Sequence, residues 1–529
     1  MEIDIAASNG NTASARALMV LGTASHAGKS LLVAALCRIF AQDGLRVAPF
    51  KAQNMSLASA ATPEGHEIGR AQAMQAEAAG IPASVDMNPV LLKPTSDRRS
   101  QVVVLGKIWQ TLDAREYHGG CREELFPIVK AAFARLAHAY DMVVLEGAGS
   151  PAEINLAAGD IVNLRMAQAA EAPCILVGDI DRGGVFAALV GTLELLSPED
   201  RRRIRGFIIN KFRGDVSLLT SGITMIEERL GIPCLGVVPY LRDLRIDEED
   251  SVGHQAHPRN FSRGNSGADR PLRIAVIDFP TLANATDFDA LAAEPSVELI
   301  FTDNASAVAQ ADVVILPGSK STLADLAWLR AQQLDRAILE RRSTQCVVGI
   351  CGGFQMLGTR ITDPLGIEGG GDAEGLALLN VATELGALKI TIPVTGRLAG
   401  TSLLGIPSPE EYIDIAGYEI HVGTSTRGPD TPSFAEVVRT DGTPVSDGAR
   451  NASGDVFGTY IHGMFAGDRF RQAFLASARI RSGLPATQSF TGYEADRKQQ
   501  YDRLADTVRE ALDLDAIRRI AGISAPMPA

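Results

Sequence analysis

The sequence predicts two tandem α/β domains, each built on a largely parallel sheet. Three observations support this prediction. The chain has 529 residues, which at roughly 150 residues per domain is too long for one compact unit. Short apolar runs alternate with longer helical patterns, as β-α-β units require. This alternation stops in one polar stretch, 247–271, and then starts again.

The first predicted domain, 1–246, contains five strand-like runs separated by helical patterns. The runs are apolar on both faces, so we expect a parallel sheet covered by helices on each side. They are ALMVLGT (17–23), MVVLEG (142–147), CILVGD (174–179), GFIINK (206–211) and CLGVVP (234–239).

The second predicted domain, 272–470, repeats this pattern after a linker at 247–271. The linker is polar, carries Gly, Pro and Ser, and has no apolar periodicity. A helical extension, 471–529, follows the second domain, and we expect it to pack on that domain. The strand-like runs are RIAVIDF (273–279), VELIFT (297–302), VVILPG (313–318) and VVGIC (347–351).

Composition excludes several classes of protein. The formal net charge of −13 argues against nonspecific binding to nucleic acid, which needs a basic excess. None of the six cysteines forms a C-x-x-C pair, so neither a disulfide framework nor a zinc ribbon is indicated. The start, MEIDIAASNG, lacks the features of a signal peptide, and no run of 18 apolar residues suggests a membrane span. We therefore expect a cytoplasmic protein that binds neither nucleic acid nor a membrane.

A phosphate-binding loop is predicted between the first strand and the helix that follows it. The pattern is G-T-x-x-x-x-G-K-S from Gly22 to Ser30, one residue longer than the usual G-x-x-x-x-G-K-[ST]. A strand, loop and helix in this order point backbone N–H groups at phosphate oxygens. We expect Thr23, Gly28 and Lys29 to bind ATP, and Ser30 to bind both ATP and Mg²⁺.

Acidic side chains follow two other strands of the first domain. Glu146 ends MVVL and opens a Gly-rich turn, and Asp179 and Asp181 lie in GDIDRGG. Carboxylates at the ends of buried strands are costly unless they are solvated or ligated. We predict that Glu146 and Asp179 bind Mg²⁺ and that Asp181 contacts substrate, although each would also suit an exposed loop.

Three polar residues near the same sheet edge are further candidates. Lys51 and Asn54, in KAQNMS, follow the strand-like RVAPF and are expected to bind phosphate or carboxylate oxygens. We assign Lys51 to ATP and Asn54 to substrate. Asn210, in INKF, lies where an amide would recognise adenine. An ordinary surface or turn position is an equally good interpretation of each.

A nucleophile elbow is predicted in the second domain. The segment G-I-C-G-G, with Cys351 at its centre, follows a strand and precedes FQMLG, which matches G-x-nucleophile-x-G. The start of a helix favours the thiolate. Cys346, inside the strand, is expected to belong to the core. The N–H groups of Gly352 and of Gly318, in LPGSK, would form an oxyanion hole.

The nucleophile needs a base that takes the proton from the thiol and then, as an acid, protonates the leaving group. His462, in GTYIHGMF, ends a strand and enters a Gly-containing loop, so we predict that it is this base. His421, in GYEIHVG, is the competing candidate.

Both halves resemble the cobyric acid synthase family over about residues 17–500. The phosphate loop, KAQNMS, EGAGSPAEINL and GDIDRGGVFA resemble its dethiobiotin-synthetase-like P-loop domain. LPGSKST, GICGGFQMLG, GYEIHVG and GTYIHGMF resemble its class I glutamine amidotransferase domain, which has a flavodoxin-like fold. The glutamate common two residues after the base in such domains is Met464 here, which leaves the group that orients His462 open. Glu419 is one candidate.

The resemblance implies an ATP- and Mg²⁺-dependent ligase of cobalamin biosynthesis that hydrolyses glutamine. Family members amidate the b, d, e and g carboxylates of adenosylcobyrinic acid a,c-diamide to give adenosylcobyric acid. The partners implied are this corrinoid, L-glutamine and ATP. The alternatives are a cobyrinic acid a,c-diamide synthase and, in a different class, a P-loop partitioning or scaffolding ATPase. The Cys351 elbow argues against the ATPase, which has no use for a glutaminase.

Overall fold

The computed structural model describes residues 15–96, 99–117, 120, 122–156, 159–241, 244–246, 260–261, 270–485 and 491–523. Two α/β units are present, as predicted, and each has its own parallel sheet. Most of the predicted linker lies outside the described residues, so its structure stays a prediction. No helix within the described ranges is long and apolar enough to cross a membrane.

Six parallel strands form the central sheet of the first domain, and the five predicted strands are among them. Helices cover both faces, which explains why the strands are mostly buried. In spatial order the strands are Cys234–Pro239, Ile204–Phe212, Cys174–Asp179, Arg16–Gly22, Met142–Glu146 and Val47–Phe50. The helices are Lys29–Gln42, Arg70–Ala78, Ala114–Glu116, Arg122–Ala139, Leu164–Ala169, Val185–Leu195, Pro198–Arg201 and Thr220–Leu230, with 3₁₀ turns at Val85–Met87 and Val216–Leu219.

Smaller sheets, which the sequence did not predict, are added to the first domain. Four strands pair in the order Gln53–Met55, Val90–Ser96, Arg99–Val104 and Lys107–Asp113. A two-stranded hairpin joins Ser59–Ala61 to Glu67–Gly69. This hairpin reaches the second domain, where it packs against two long strands.

The second domain also has a parallel sheet at its centre, and all four predicted strands belong to it. Its strands, in spatial order, are Val297–Thr302, Leu272–Ile277, Val313–Leu316, Cys346–Ile350, Val456–Thr459 and the antiparallel Ala449–Arg450. The helices are Asp289–Ala292, Ala305–Gln310, Thr322–Ala331, Leu334–Leu339, Gly352–Leu357 and Asp468–Arg481, with 3₁₀ turns at Ala285–Phe288 and Met464–Ala466.

A largely antiparallel sheet lies beside this core and was not predicted. Its two longest strands, Val381–Leu398 and Asp414–Arg427, pair along most of their length. The other members are Gly371–Glu374, Arg360–Asp363, Ile461–His462, Ala435–Arg439 and Pro444–Asp447. Two short pairs, Leu282–Ala283 with Gly318–Ser319 and Ser402–Leu403 with Ile406–Pro407, complete the strands.

The helical extension packs differently from our expectation. Asp468–Arg481 belongs to the core of the second domain, where Phe474 and Leu475 are fully buried. The last two helices, Tyr493–Ala511 and Leu514–Ala521, pack instead on the first domain, against the helix Lys29–Gln42 and the sheet edge. The expectation that the whole extension covers the second domain was therefore wrong. The C-terminal helices supply apolar side chains that complete one face of the N-terminal sheet.

Candidate active sites in the two domains

The phosphate loop of the first domain is held in place by several hydrogen bonds. Gly28 is in the left-handed conformation (φ 88°), directly before the helix Lys29–Gln42. The Lys29 ammonium donates to the carbonyl oxygens of Ala24 and Gly149, at 3.0 and 3.2 Å. Thr23 belongs to the same loop, and its N–H donates to Val177 at 2.9 Å. The loop therefore has the shape that the sequence predicted, and its nucleotide-binding residues remain predictions.

Asn210 lies against the phosphate loop. Its side-chain amide donates to the Ala27 carbonyl at 2.9 Å. A Cβ on Gly28 would lie only 2.2 Å from the Asn210 Nδ2, so this close approach requires glycine at position 28. Asn210 thus braces the loop, and its predicted contact with adenine stays a prediction.

Glu146 is the centre of a buried polar cluster beside the loop. Its carboxylate accepts hydrogen bonds from Ser30 Oγ at 2.8 Å, Lys51 Nζ at 2.9 Å and Gln75 Nε2 at 2.6 Å. Burial by itself would raise the pKa of Glu146, but Lys51, Gln75 and Ser30 together lower it, so the carboxylate is ionised. The sequence predicted Glu146, Ser30 and Lys51 but gave no signal for Gln75, whose helix brings it in from elsewhere in the chain.

The other predicted acidic residues have ionic partners of their own. The Asp179 carboxylate lies 3.1 Å from Lys211 Nζ, and Lys211 also donates to the His26 carbonyl of the phosphate loop. Asp181 pairs with Arg213 at 2.9 Å on the surface. The strand Arg16–Gly22 lies between the strands that carry Glu146 and Asp179. The two carboxylates therefore lie on either side of the phosphate loop, and their binding of Mg²⁺ stays a prediction.

Asn54 is not placed as a substrate-binding side chain would be. It is 2% exposed; its amide donates to Gln72 at 3.0 Å, and its oxygen accepts from the Met55 N–H at 2.9 Å. Both polar ends are therefore occupied inside the domain. Contact between Asn54 and substrate stays a prediction that this arrangement does not favour.

In the second domain, Cys351 sits at a sharp turn from strand to helix. Its backbone is in an unusual conformation for a residue with a side chain (φ 53°, ψ −110°). A Cβ on Gly349 would lie 2.7 Å from Leu357, and one on Gly353 only 1.9 Å from the Leu316 carbonyl oxygen. The glycines on either side are therefore required, as the elbow motif predicted. Cys346 is fully buried, and burial raises the pKa of its thiol to about 12, consistent with a core residue.

His462 lies in the same pocket as Cys351 and is oriented by a carboxylate. The His462 Nδ1 lies 2.6 Å from Asp287 Oδ2, and the other Asp287 oxygen accepts from the Gly463 N–H at 3.0 Å. Burial lowers the pKa of His462, but Asp287 and the neighbouring Cys351 outweigh it and raise the pKa to about 10. The arrangement is that of a cysteine–histidine pair with a third, orienting group.

Glu419 and His421, the two alternative candidates from the sequence, have other contacts in the structure. Glu419, the candidate for orienting His462, instead accepts a hydrogen bond from Arg439 Nε at 2.6 Å. That candidate was therefore wrong, and Asp287 takes its place. His421 stacks on Tyr460 with a centroid distance of 3.7 Å, and neither of its ring nitrogens meets a hydrogen-bond partner of normal geometry among the described residues. Burial lowers the pKa of His421 to about 3, so it is a neutral wall of the pocket.

The two predicted oxyanion donors differ in their surroundings. Gly352 begins the helix Gly352–Leu357, so its N–H has no partner within that helix. Gly318 pairs with Ala283 in a short antiparallel ladder. The Lys320 N–H donates to the Thr281 carbonyl at 2.9 Å. Every second pair of opposed residues in an antiparallel ladder is hydrogen-bonded in this way. Gly318 and Ala283 are the next such pair, so the Gly318 N–H points at the Ala283 carbonyl. Gly352 is the better-placed donor, and the role of Gly318 stays a prediction.

The pocket around Cys351 is shared between the domains. Lys93 of the first domain lines it, together with Lys320, Gln355, Glu368 and Lys389 of the second. None of these five was predicted as a site residue, although Lys320 and Gln355 lie in the quoted LPGSK and GFQML segments.

Direct contacts join the two domains next to this pocket. The Ser59 N–H donates to Asn284 Oδ1 at 2.9 Å, and Asn284 Nδ2 lies 3.4 Å from the His462 ring. Glu67 of the first domain forms an ion pair with Lys389 of the second. A single residue, Asn284, thus connects His462 to the N-terminal domain.

Comparison with known proteins identifies both halves. Residues 18–252 match the family model described as the CobQ/CobB/MinD/ParA nucleotide binding domain. Residues 273–470 match that of the CobB/CobQ-like glutamine amidotransferase domain. A cobyric acid synthase from Sorangium cellulosum is 50% identical over 518 residues, which cover 96% of this chain and 98% of that one. The chain belongs to the cobyric acid synthase family. It is accordingly a glutamine-hydrolysing amide ligase that binds ATP.

Other members of the cobyric acid synthase family match equally well. The protein from Syntrophobacter fumaroxidans is 48% identical, covering 96% of this chain and 99% of its own length. The protein from Yersinia enterocolitica is 49% identical, covering 95% and 97%. The signal recognition particle receptor FtsY from Elizabethkingia anophelis, solved with GDP, aligns over 43% of this chain and 58% of its own at 15% identity and a TM-score of 0.27. We draw nothing from so weak a likeness.

Proposed function

We propose that this chain converts adenosylcobyrinic acid a,c-diamide to adenosylcobyric acid, amidating the b, d, e and g carboxylates with ATP and glutamine. The proposal rests on one observation. Cys351, His462 and Asp287 lie together at a pocket that the nucleotide-binding domain helps to line. The relatives named cobyric acid synthase, at 48–50% identity over nearly the whole chain, favour this substrate over that of the a,c-diamide synthase.

The first domain would activate the carboxylate. A carboxylate and ammonia only form a salt in water, so a better leaving group is needed. The γ-phosphoryl group of ATP is transferred to a corrin carboxylate oxygen, giving an acyl phosphate and ADP. Lys29 and the N–H groups at the start of its helix neutralise charge on the phosphates in transit.

Mg²⁺ fits the polar cluster beside the loop. The Ser30 hydroxyl and Glu146 carboxylate lie 2.8 Å apart, and such oxygens, completed by phosphate oxygens, are the ligands that Mg²⁺ prefers. Bound there, the ion would offset the negative charge of the β- and γ-phosphates. Lys51, which pairs with Glu146, would then contact a phosphate or the substrate carboxylate.

The second domain would release ammonia. The Cys351 thiolate attacks the side-chain amide carbon of glutamine, and the Gly352 N–H stabilises the oxyanion. His462 donates its proton to the departing nitrogen, which leaves as ammonia. The glutamyl group remains on Cys351 as a thioester. Water, deprotonated by His462, then hydrolyses the thioester to glutamate and restores the thiolate. The ammonia displaces phosphate from the acyl phosphate, forming the amide.

The test is to incubate the protein with ATP, Mg²⁺, glutamine and either adenosylcobyrinic acid a,c-diamide or cobyrinic acid. Each amidation replaces a hydroxyl group by an amino group, so mass spectrometry counts the amides formed. We expect four amidations of the a,c-diamide. Consumption of cobyrinic acid only, with the a,c-diamide untouched, would show that the chain is the diamide synthase instead.

A further inference from the structure

The pocket around Cys351 contains one cation and one anion that lack ionic partners. The Lys320 ammonium donates to Gln101 Oε1 at 3.0 Å, and Glu368 accepts from the Thr322 hydroxyl and the Leu323 N–H, each at 3.3 Å. Among the described residues neither Lys320 nor Glu368 has an oppositely charged group within 4.0 Å. A pocket with one unpaired charge of each sign is suited to a zwitterion.

The other lysines of this pocket are already paired. Lys93 and Lys389 both form ion pairs with Glu67, one on each of its oxygens. This buried cluster, in which two lysines share one carboxylate, ties the two domains together. Among the lysines that line the described part of this pocket, Lys320 is the one with no carboxylate within 4.0 Å of its ammonium group.

Partial burial makes each unpaired charge costly. Burial lowers the pKa of Lys320 to about 7, and the nearby Lys389 and Lys93 push it in the same direction. Burial likewise raises the pKa of Glu368 to about 7. A ligand that brings an opposite charge to each group would relieve both penalties.

Both groups are carried by well-defined backbone. Lys320 directly follows the short strand Gly318–Ser319, and its N–H is fixed on Thr281. Glu368 lies in a turn wound around Asp363, whose carboxylate accepts the N–H groups of Ile367, Glu368 and Gly370 at 2.7, 2.7 and 2.9 Å. Hydrogen bonds thus hold the backbone at both groups, which favours specific binding.

We propose that Lys320 and Glu368 bind the amino-acid end of glutamine, Lys320 its α-carboxylate and Glu368 its α-ammonium. This inference rests on the proposed function, in which the side-chain amide reaches Cys351 in the same pocket. Glutamine carries its two opposite charges on one carbon and its amide at the other end of the molecule, which matches this division of the pocket. Because Gln101 of the first domain holds Lys320, the glutamine site is completed by the domain interface.

Trimmed substrates test each contact separately. Glutaramate lacks the α-ammonium of glutamine, and 4-aminobutanamide lacks the α-carboxylate. We expect Lys320→Met to raise KM for glutamine about 10- to 100-fold with little change in kcat, since one charge-assisted contact is lost. The same variant should lower kcat/KM for glutaramate to a similar extent but spare 4-aminobutanamide. Glu368→Gln should do the reverse, and Lys320→Arg should recover part of the loss.

The controls separate recognition from general damage. Lys498→Met and Glu64→Gln change exposed residues and should leave all three substrates unaffected. The inference would be overturned if the Lys320 and Glu368 variants lost kcat/KM equally on all three amides, or if only kcat fell. Failure of the wild-type protein to release glutamate from glutamine would instead refute the proposed function, before any variant is compared.

Discussion

Replacement of Asp287 by Asn should disable glutamine hydrolysis while leaving the fold intact. Asp287 and His462 are each 2% exposed at the side chain, and their hydrogen bond is 2.6 Å long. Together with Cys351, Asp287 raises the pKa of His462 from 6.5 to about 10, a preference for the imidazolium of roughly 5 kcal/mol. An amide cannot supply that charge and favours the wrong ring tautomer, so we expect kcat to fall by about 10²- to 10⁴-fold.

Glutamate release, measured across pH in the presence of ATP and corrinoid, is the assay for Asp287→Asn. Asp430→Asn is a matched control, because Asp430 is exposed and its left-handed backbone (φ 61°) also suits Asn. A kcat within twofold of wild type would refute the orienting role of Asp287. A large loss in Glu419→Gln with no loss in Asp287→Asn would restore the alternative that the sequence suggested.

The same pair of proteins has a predicted pH dependence of stability. A raised pKa in the folded state means that charged His462 stabilises the fold fully below pH 6.5 and that this contribution is lost as pH rises through about 10. The difference in unfolding free energy between wild type and Asp287→Asn should therefore be largest below pH 6.5 and shrink towards pH 10. A constant difference, measured by denaturant unfolding, would contradict the assigned pKa.

Three further predictions follow from the two sites and their interface. Lys29→Met should abolish ammonia-dependent amidation but leave some glutamine hydrolysis, and loss of both in a stably folded variant would contradict separate sites. Gly353→Ala should destabilise the second domain by at least about 1–3 kcal/mol, because its Cβ would lie 1.9 Å from the Leu316 carbonyl oxygen; an unchanged melting temperature would refute the need for glycine. Asn284→Ala removes the bond to the Ser59 N–H, and we expect glutamine hydrolysis to respond less to ATP and corrinoid; an unchanged ratio of stimulated to basal rates would count against this coupling.

The parallel strands could be predicted from the sequence because burial on both faces leaves a continuous apolar run. The strand at 142–147, for example, lies at Met142–Glu146 in the structure. The antiparallel sheet could not be predicted in this way, because strands such as Val381–Leu398 mix buried and exposed residues. Their pairing partners are also fixed by the tertiary structure. The helices from Tyr493 onward were placed on the wrong domain for a similar reason. Amphipathic periodicity shows that a helix buries one face but not which surface covers it.

The residues of the candidate site likewise fall into two groups, those that the sequence predicts and those that only the fold brings together. Cys351 and His462 lie in local motifs whose glycines set the backbone, and such motifs are visible in a sequence. Asp287 is 175 positions from His462 and is brought to it only by the fold. Lys320 and Glu368 similarly become significant only when their lack of ionic partners is seen.

The most direct test of the two-site account is the corrin product formed by Cys351→Ala. The variant would be incubated with adenosylcobyrinic acid a,c-diamide, ATP and Mg²⁺, with either glutamine or ammonium chloride as the nitrogen source. We predict no amidation from glutamine and the fourfold amidated corrin from ammonia, as counted by mass spectrometry. Amidation from glutamine by this variant would contradict the assignment of Cys351. Loss of the ammonia-dependent reaction as well would contradict the claim that one domain makes ammonia and the other uses it.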